Sequence, residues 1–195
     1  MDNEYSSLLD EVPHLLRAKA FADSLSATPL FSRIGTKLDD NDRELATLYA
    51  QNLGFSHVFP ARLLHLSEAV GAAEANDYDP EAWLCEEQLR ASLHGQALLN
   101  TSEEGAAALL QLVASEISQI AKDTAEETFS HNSQANEATI NCIIGHVAQS
   151  AHCMTLAILS NTDIDDPDHP FILRWSLFNR GRWPVGIIGS SYNVY

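Results

Sequence analysis

The chain has 195 residues, 45% of them hydrophobic and only 7 of them proline, which supports one folded domain and excludes a disordered chain. Its 27 acidic against 11 basic residues leave a net charge of −16, which repels nucleic acid and anionic membranes over most of the surface. Cys85, Cys142 and Cys153 show no paired spacing, so no disulfide framework is expected.

The opening stretch MDNEYSSLLDEVPHLL is acidic and lacks the basic start and apolar run of a secretory signal. The longest apolar stretch, AAALLQLVA, is too short to cross a bilayer. A cytoplasmic protein is the expectation. Leu8, Leu9, Val12, Leu15, Leu16, Phe21 and Leu25 follow a helical period and predict a first helix, with Pro13 in its first turn. A connector with Pro29 and Gly35 follows. Asn41 and Glu44 are spaced as a capping box for the helix DRELATLYAQNL, which Gly54 stops. FPARLLHLSEAVGAAEA reads as a third helix with Pro60 tolerated near its start. Asp79 and Pro80 open a fourth.

Thr101 and Glu104 begin a long helix with Leu109, Leu110, Val113, Ile117 and Ile120 along one side. The segment 133–160 predicts another. On it Cys142, His146 and Cys153 fall within about 40° of one another at ~100° per residue. The opposite side, Ile140, Ile143, Val147, Met154 and Ile158, is apolar, so this helix is expected at the centre of the core. DIDDPDHP is acid-rich but lacks the ligand spacing and terminal Glu of a calcium loop, and reads as a capped turn. FILRWSLFN gives a last short helix that ends by Gly181.

The final stretch, GRWPVGIIGSSYNVY, changes character. Gly189-Ser190 is a two-residue hairpin turn. Its flanks pair Ile188 with Ser191, Ile187 with Tyr192, Gly186 with Asn193 and Val185 with Val194. Alternation then places Trp183, Val185, Ile187, Tyr192 and Val194 on one face. From residue 174 onward there are three arginines and no acid, so the tail is drawn to an acidic body. The expected fold is all-α: one domain over 1–195, a compact bundle of about seven helices (1–180) with a C-terminal β-hairpin (181–195) packed on it.

Two uses of the tail follow. The hairpin can close the core with its arginines anchored to acidic helices. Alternatively Arg174, Arg180, Arg182, Trp183, Tyr192 and Tyr195 can form a binding surface, since Trp, Tyr and Arg concentrate interface energy. Open hairpin edges would then invite a strand from a second copy or another protein.

The leading functional expectation is therefore a non-enzymatic interaction or regulatory domain, with a protein partner or a homodimer. A second is a bundle that holds a small ligand or metal between helices, with His65, Glu68 and His146 as its polar groups. A third is an acidic immunity-type inhibitor of a basic protein, whose binding would weaken in salt. No catalytic residue, cofactor or metal site is expected. His-Glu-x-x-His pairs, phosphate-cradling glycine loops and nucleophile elbows are all missing from the sequence.

Overall fold

The computed structural model describes residues 13–74, 80–164 and 166–195. Among them run seven α-helices: α1 (Pro13–Ser24), α2 (Asp40–Asn52), α3 (Leu66–Glu74), α4 (Pro80–Asn100), α5 (Glu103–Thr128), α6 (Glu137–Leu159) and α7 (Pro170–Asn179). Three short strands complete the fold: β1 (Phe59–Arg62), β2 (Pro184–Ile188) and β3 (Ser191–Val194). The expected helical bundle with a C-terminal hairpin is what forms. Residues 6–12 of the first expected helix, and Asp79 as the cap of α4, lie outside the described residues.

Local chemistry sets the helix starts. α2 is capped by Asp39, not Asn41 as the spacing suggested. The Asp39 carboxylate accepts from the Asp42 N–H at 2.9 Å, and Asp42 returns the bond to the Asp39 N–H at 3.1 Å. Ser102 rather than Thr101 caps α5, accepting from the Gly105 N–H at 3.0 Å. Asn136 caps α6, and Pro170 opens α7.

α5 buries Ala106, Leu109, Val113, Ile117, Ala121 and Ala125 at steps of three and four, one stripe facing α6 and α1. α6 is the central helix. It alone among the described helices is long and apolar enough to span a membrane, with a mean hydropathy of 1.4, but 61% of that window is buried inside the protein. From Ser150 to Leu159 nearly every side chain is enclosed.

Two apolar clusters result. The larger joins α1, α5 and α6 to Phe171, Ile172, Trp175 and Phe178 of α7. The smaller joins Ala46, Tyr49 and Ala50 of α2 to Leu53, Phe55 and Val58, and to Leu173 and Leu177 on the other side of α7. α7 and the sheet form the wall between them.

The segment Phe59–Arg62 is a strand, not the start of a helix. It pairs parallel with β3, Phe59 opposite Ser191 through Arg62 opposite Val194, so β3 lies in the middle of a three-stranded sheet. Phe59 and Leu63 donate to the Ser190 and Val194 carbonyls at 3.1 and 2.9 Å. By the alternation of ladder bonds, position 60 would aim its N–H away from β3, where proline gives up nothing. A single sequence reads that proline equally well as a first helical turn.

In the hairpin, Ile188–Ser191, Ile187–Tyr192 and Gly186–Asn193 pair as expected. The fourth pair differs: Val194 meets Pro184, and Val185 is the extra residue of a β-bulge. Gly186, next to it, has φ 150°, a backbone conformation that other residues rarely adopt. The bulge divides the expected single apolar face. Trp183, Val185 and Tyr195 enter the larger core, while Ile187, Tyr192 and Val194 enter the smaller. Trp183 and Tyr195 exchange backbone bonds of 2.7 and 2.8 Å, so the next position, Pro184, points its nitrogen outward. Both outer strands of the sheet thus carry a proline where an added strand would need a donor. The open edges expected from the sequence are taken by β1 on one side and blunted on the other.

Candidate functional site

The tail arginines go inward. Gly181, at φ 75°, lets the chain turn so close to the Pro29–Arg33 loop that a Cβ there would lie 2.2 Å from the Ser32 hydroxyl. This approach carries Arg180 and Arg182 onto the start of α2. Asp42, fully buried, accepts from Arg180 Nε at 2.6 Å and from Arg182 Nε and Nη2 at 3.0 and 2.7 Å. Arg182 spends its other donors on the Lys37 carbonyl at 2.7 Å, on the Thr36 carbonyl and hydroxyl at 3.0 and 2.7 Å, and on the Arg33 carbonyl. A guanidinium with 0% exposure thus has a partner for every branch of its fork.

Arg180 also holds Asp39 at 2.8 and 2.9 Å, and Arg33 holds it at 2.8 Å. Burial pushes the Asp42 carboxyl up, but bonds from Arg180, Arg182 and the Asp39 N–H outweigh it and hold it below the usual range. Asp39 is held well below that range by the Asp42 N–H and by Arg33.

Arg174, on α7, pairs with buried Glu86 of α4 at 3.0 Å, and the other Glu86 oxygen accepts the Tyr49 hydroxyl. Tyr49 stacks on Tyr192 at 4.4 Å and 19°. Burial, then the Glu86 charge, raises the Tyr49 phenol well above its ordinary value. Five of the six side chains expected at a binding surface, Arg174, Arg182, Trp183, Tyr192 and Tyr195, are therefore buried, and Arg180 is three-quarters covered. They close the core, and among the six only Arg180 keeps a partly exposed side chain. The physical reason is charge and shape: acidic α2 and the neighbouring carboxylate of α4 offer the arginines partners, and the two clusters offer the aromatics cover.

Of the three residues expected at a ligand pocket, His65 and Glu68 meet at the start of α3, and His146 is held on α6. Glu68 caps α3, its carboxylate accepting from the Leu64 and His65 N–H groups at 2.8 and 3.2 Å, and both it and His65 are exposed. His146 lies under the hairpin, edge-on to Trp183 with ring centroids 5.6 Å apart. Its Nδ1, the Ser150 Oγ one turn along and the Trp183 Nε1 are buried without a hydrogen-bond partner. No group of three or more metal-ligating side chains occurs among the described residues. Burial pushes the Cys153 thiol up to about 12, which makes it inert as a nucleophile at neutral pH.

Burial and the Arg174 charge lower the His146 pKa from 6.5 to about 4. The unfolded chain therefore binds a proton that the folded chain refuses between these values. Stability from this group is complete above pH 6.5 and is lost as the pH falls toward 4. We expect urea midpoints to drop across that window, and the drop to shrink in His146→Leu. An equal drop in the variant would place the titration elsewhere.

Of the large apolar residues exposed among the described residues, Leu16, Phe59, Leu64, Leu112 and Ile164 are spread over other elements, and four lie on α4. This helix has 21 residues but buries only Ala82, Glu86, Leu93 and Ala97. Trp83 and Leu84 at one end are 50% and 49% exposed, and Leu98 and Leu99 at the other are 39% and 85% exposed. The signal for this in the sequence is weak. Small alanines hold the inner positions of α4, so the large apolar residues had to point elsewhere. No protein-family model, no curated protein and no solved structure matches this chain.

Proposed function

We propose that this chain is an acidic, non-enzymatic, cytoplasmic protein-interaction domain that docks through the outer face of α4. The exposure of Trp83, Leu84, Leu98 and Leu99 on one helix carries this reading. These residues form two exposed apolar pairs, one at each end of α4, and Trp is among the residues that anchor protein contacts. The −16 charge leaves nucleic acid and anionic membrane as poor partners. The buried carboxylate Asp42 is committed to arginines and the Cys153 thiol stays protonated, which supports a non-catalytic role.

A second reading, a small polar ligand held between α6 and the hairpin, is favoured by the unpartnered atoms of His146, Ser150 and Trp183.

The docking reading is tested with the variant Leu84→Glu/Leu98→Glu. Both positions are exposed, so stability should change by less than about 1 kcal/mol. Native mass spectrometry of wild-type protein drawn gently from its host should show an added chain, and the variant should lack it. Wild-type protein that travels as one bare chain would refute the docking reading. A bound small molecule would favour the second reading.

A further inference from the structure

We infer that the groove between the end of α1 and α5 takes a lysine or arginine side chain from a basic segment of another protein. The groove has a volume of about 280 Å³ and is lined by Ala22, Asp23, Ser26, Leu112, Glu116 and Ile120. Ala22 is buried and Ile120 half-buried, so apolar surface lies at the bottom, while Asp23, Ser26 and Glu116 are exposed. Leu112, 39% exposed, adds apolar surface that the bundle leaves uncovered beside the Glu116 carboxylate. Every polar side chain of the groove can accept a hydrogen bond, and two of the three are anionic. A lysine or arginine side chain has the matching form, an apolar stem that prefers cover and a cationic head that donates. Lys19 reaches Asp23 at 2.7 Å, but the two are 46% and 65% exposed, and a pair so open to water is weak and easily exchanged.

The same chemistry continues along α5, which argues for a protein segment over a lone cation. At ~100° per residue, Leu112, Glu116, Ile120, Asp123 and Glu127 fall within an arc of about 80° and run for about 22 Å. The three acids of this stripe are exposed. Gln119 donates to Asp123 at 2.8 Å, which steadies that carboxylate without neutralising it. Lys122, the one basic residue of α5, lies about 80° outside the arc. A small cation would use neither the length of the stripe nor its apolar positions. The net charge of −16 draws a basic partner from a distance, and the stripe gives it a place to seat. This surface is separate from the outer face of α4, and the inference does not depend on that face.

The probe is nona-arginine, acetylated and amidated at its ends, titrated at low salt into isotopically labelled full-length protein and followed by NMR. Amide shifts should concentrate at Ser26, Leu112, Glu116 and Ile120, and binding should weaken as salt is added. Asp23→Asn/Glu116→Gln should weaken binding about fivefold. Glu44→Gln/Glu137→Gln removes the same two charges from exposed positions elsewhere and should leave binding close to that of wild type. Leu112→Ala keeps the charge and should also weaken binding, because the arginine stem loses its cover. Shifts spread evenly over the acidic surface, equal losses in the two double variants, or a Leu112→Ala protein that binds like wild type would each overturn the inference. So would a wild-type protein that shows no shift at low salt.

Discussion

Arg182→Ala is expected to lower folding stability by about 3–5 kcal/mol, the cost of leaving one member of a buried ion pair unmatched. Asp42 would keep its Arg180 contact but lose both bonds from Arg182, and the Arg33, Thr36 and Lys37 carbonyls would lose their donor. A small domain's whole stability is of order 5–15 kcal/mol, so this single change should bring the protein near to unfolding at 37 °C. Equilibrium urea denaturation checks it. The pair is better probed by removing both charges: Asp42→Leu/Arg182→Met should cost clearly less than the sum of the singles. A loss under about 1 kcal/mol for Arg182→Ala would mean that water replaces the guanidinium, and that the tail is loosely held.

Trp183→Ala is the second large effect, about 3–5 kcal/mol for emptying the site of a fully buried indole. Trp183 is 0% exposed and touches His146 and Tyr195 with its ring, at centroid distances of 5.6 and 6.4 Å. Its Nε1 has no partner, so Trp183→Phe forfeits no hydrogen bond and should cost appreciably less than the alanine change. Equal losses for the two would point to a bond at Nε1, and would strengthen the case for a small polar molecule beside Ser150. Both variants should be compared by urea unfolding followed with far-ultraviolet circular dichroism, since the indole itself is the usual fluorescent probe.

The two variants test what the sequence could and could not foretell about the tail. The hairpin turn, three of its four pairs and its attraction to an acidic body are all local or compositional properties, and they were legible. The bulge at Val185 was not, because Gly186 signals only that a kink is permitted. Its consequence was large, since it divides one apolar face between two cores. β1 was illegible for a different reason. Its partner strand lies far along the chain, and Pro60 suits a first helical turn as well as an outward-facing edge position. The inward course of Arg180 and Arg182 depends on Asp39 and Asp42, and only three-dimensional closure at Gly181 brings these together. On α4, periodicity names the apolar residues but does not say which side the bundle leaves bare.

The middle position of β3 also has a consequence in time. Asp42 and Arg182 are 140 residues apart in sequence, and β1 waits for β3 across a comparable span. At roughly 5–20 residues per second of synthesis, on the order of ten seconds pass before the earlier half of each contact meets its partner. During that interval α2 and β1 have left the ribosome with an unneutralised carboxylate and uncovered aromatics, while α1, α5 and α6 can already assemble. Newly made chains should therefore pass through a stage with a formed helical core and an unfinished sheet, the stage at which chaperones would most readily hold them.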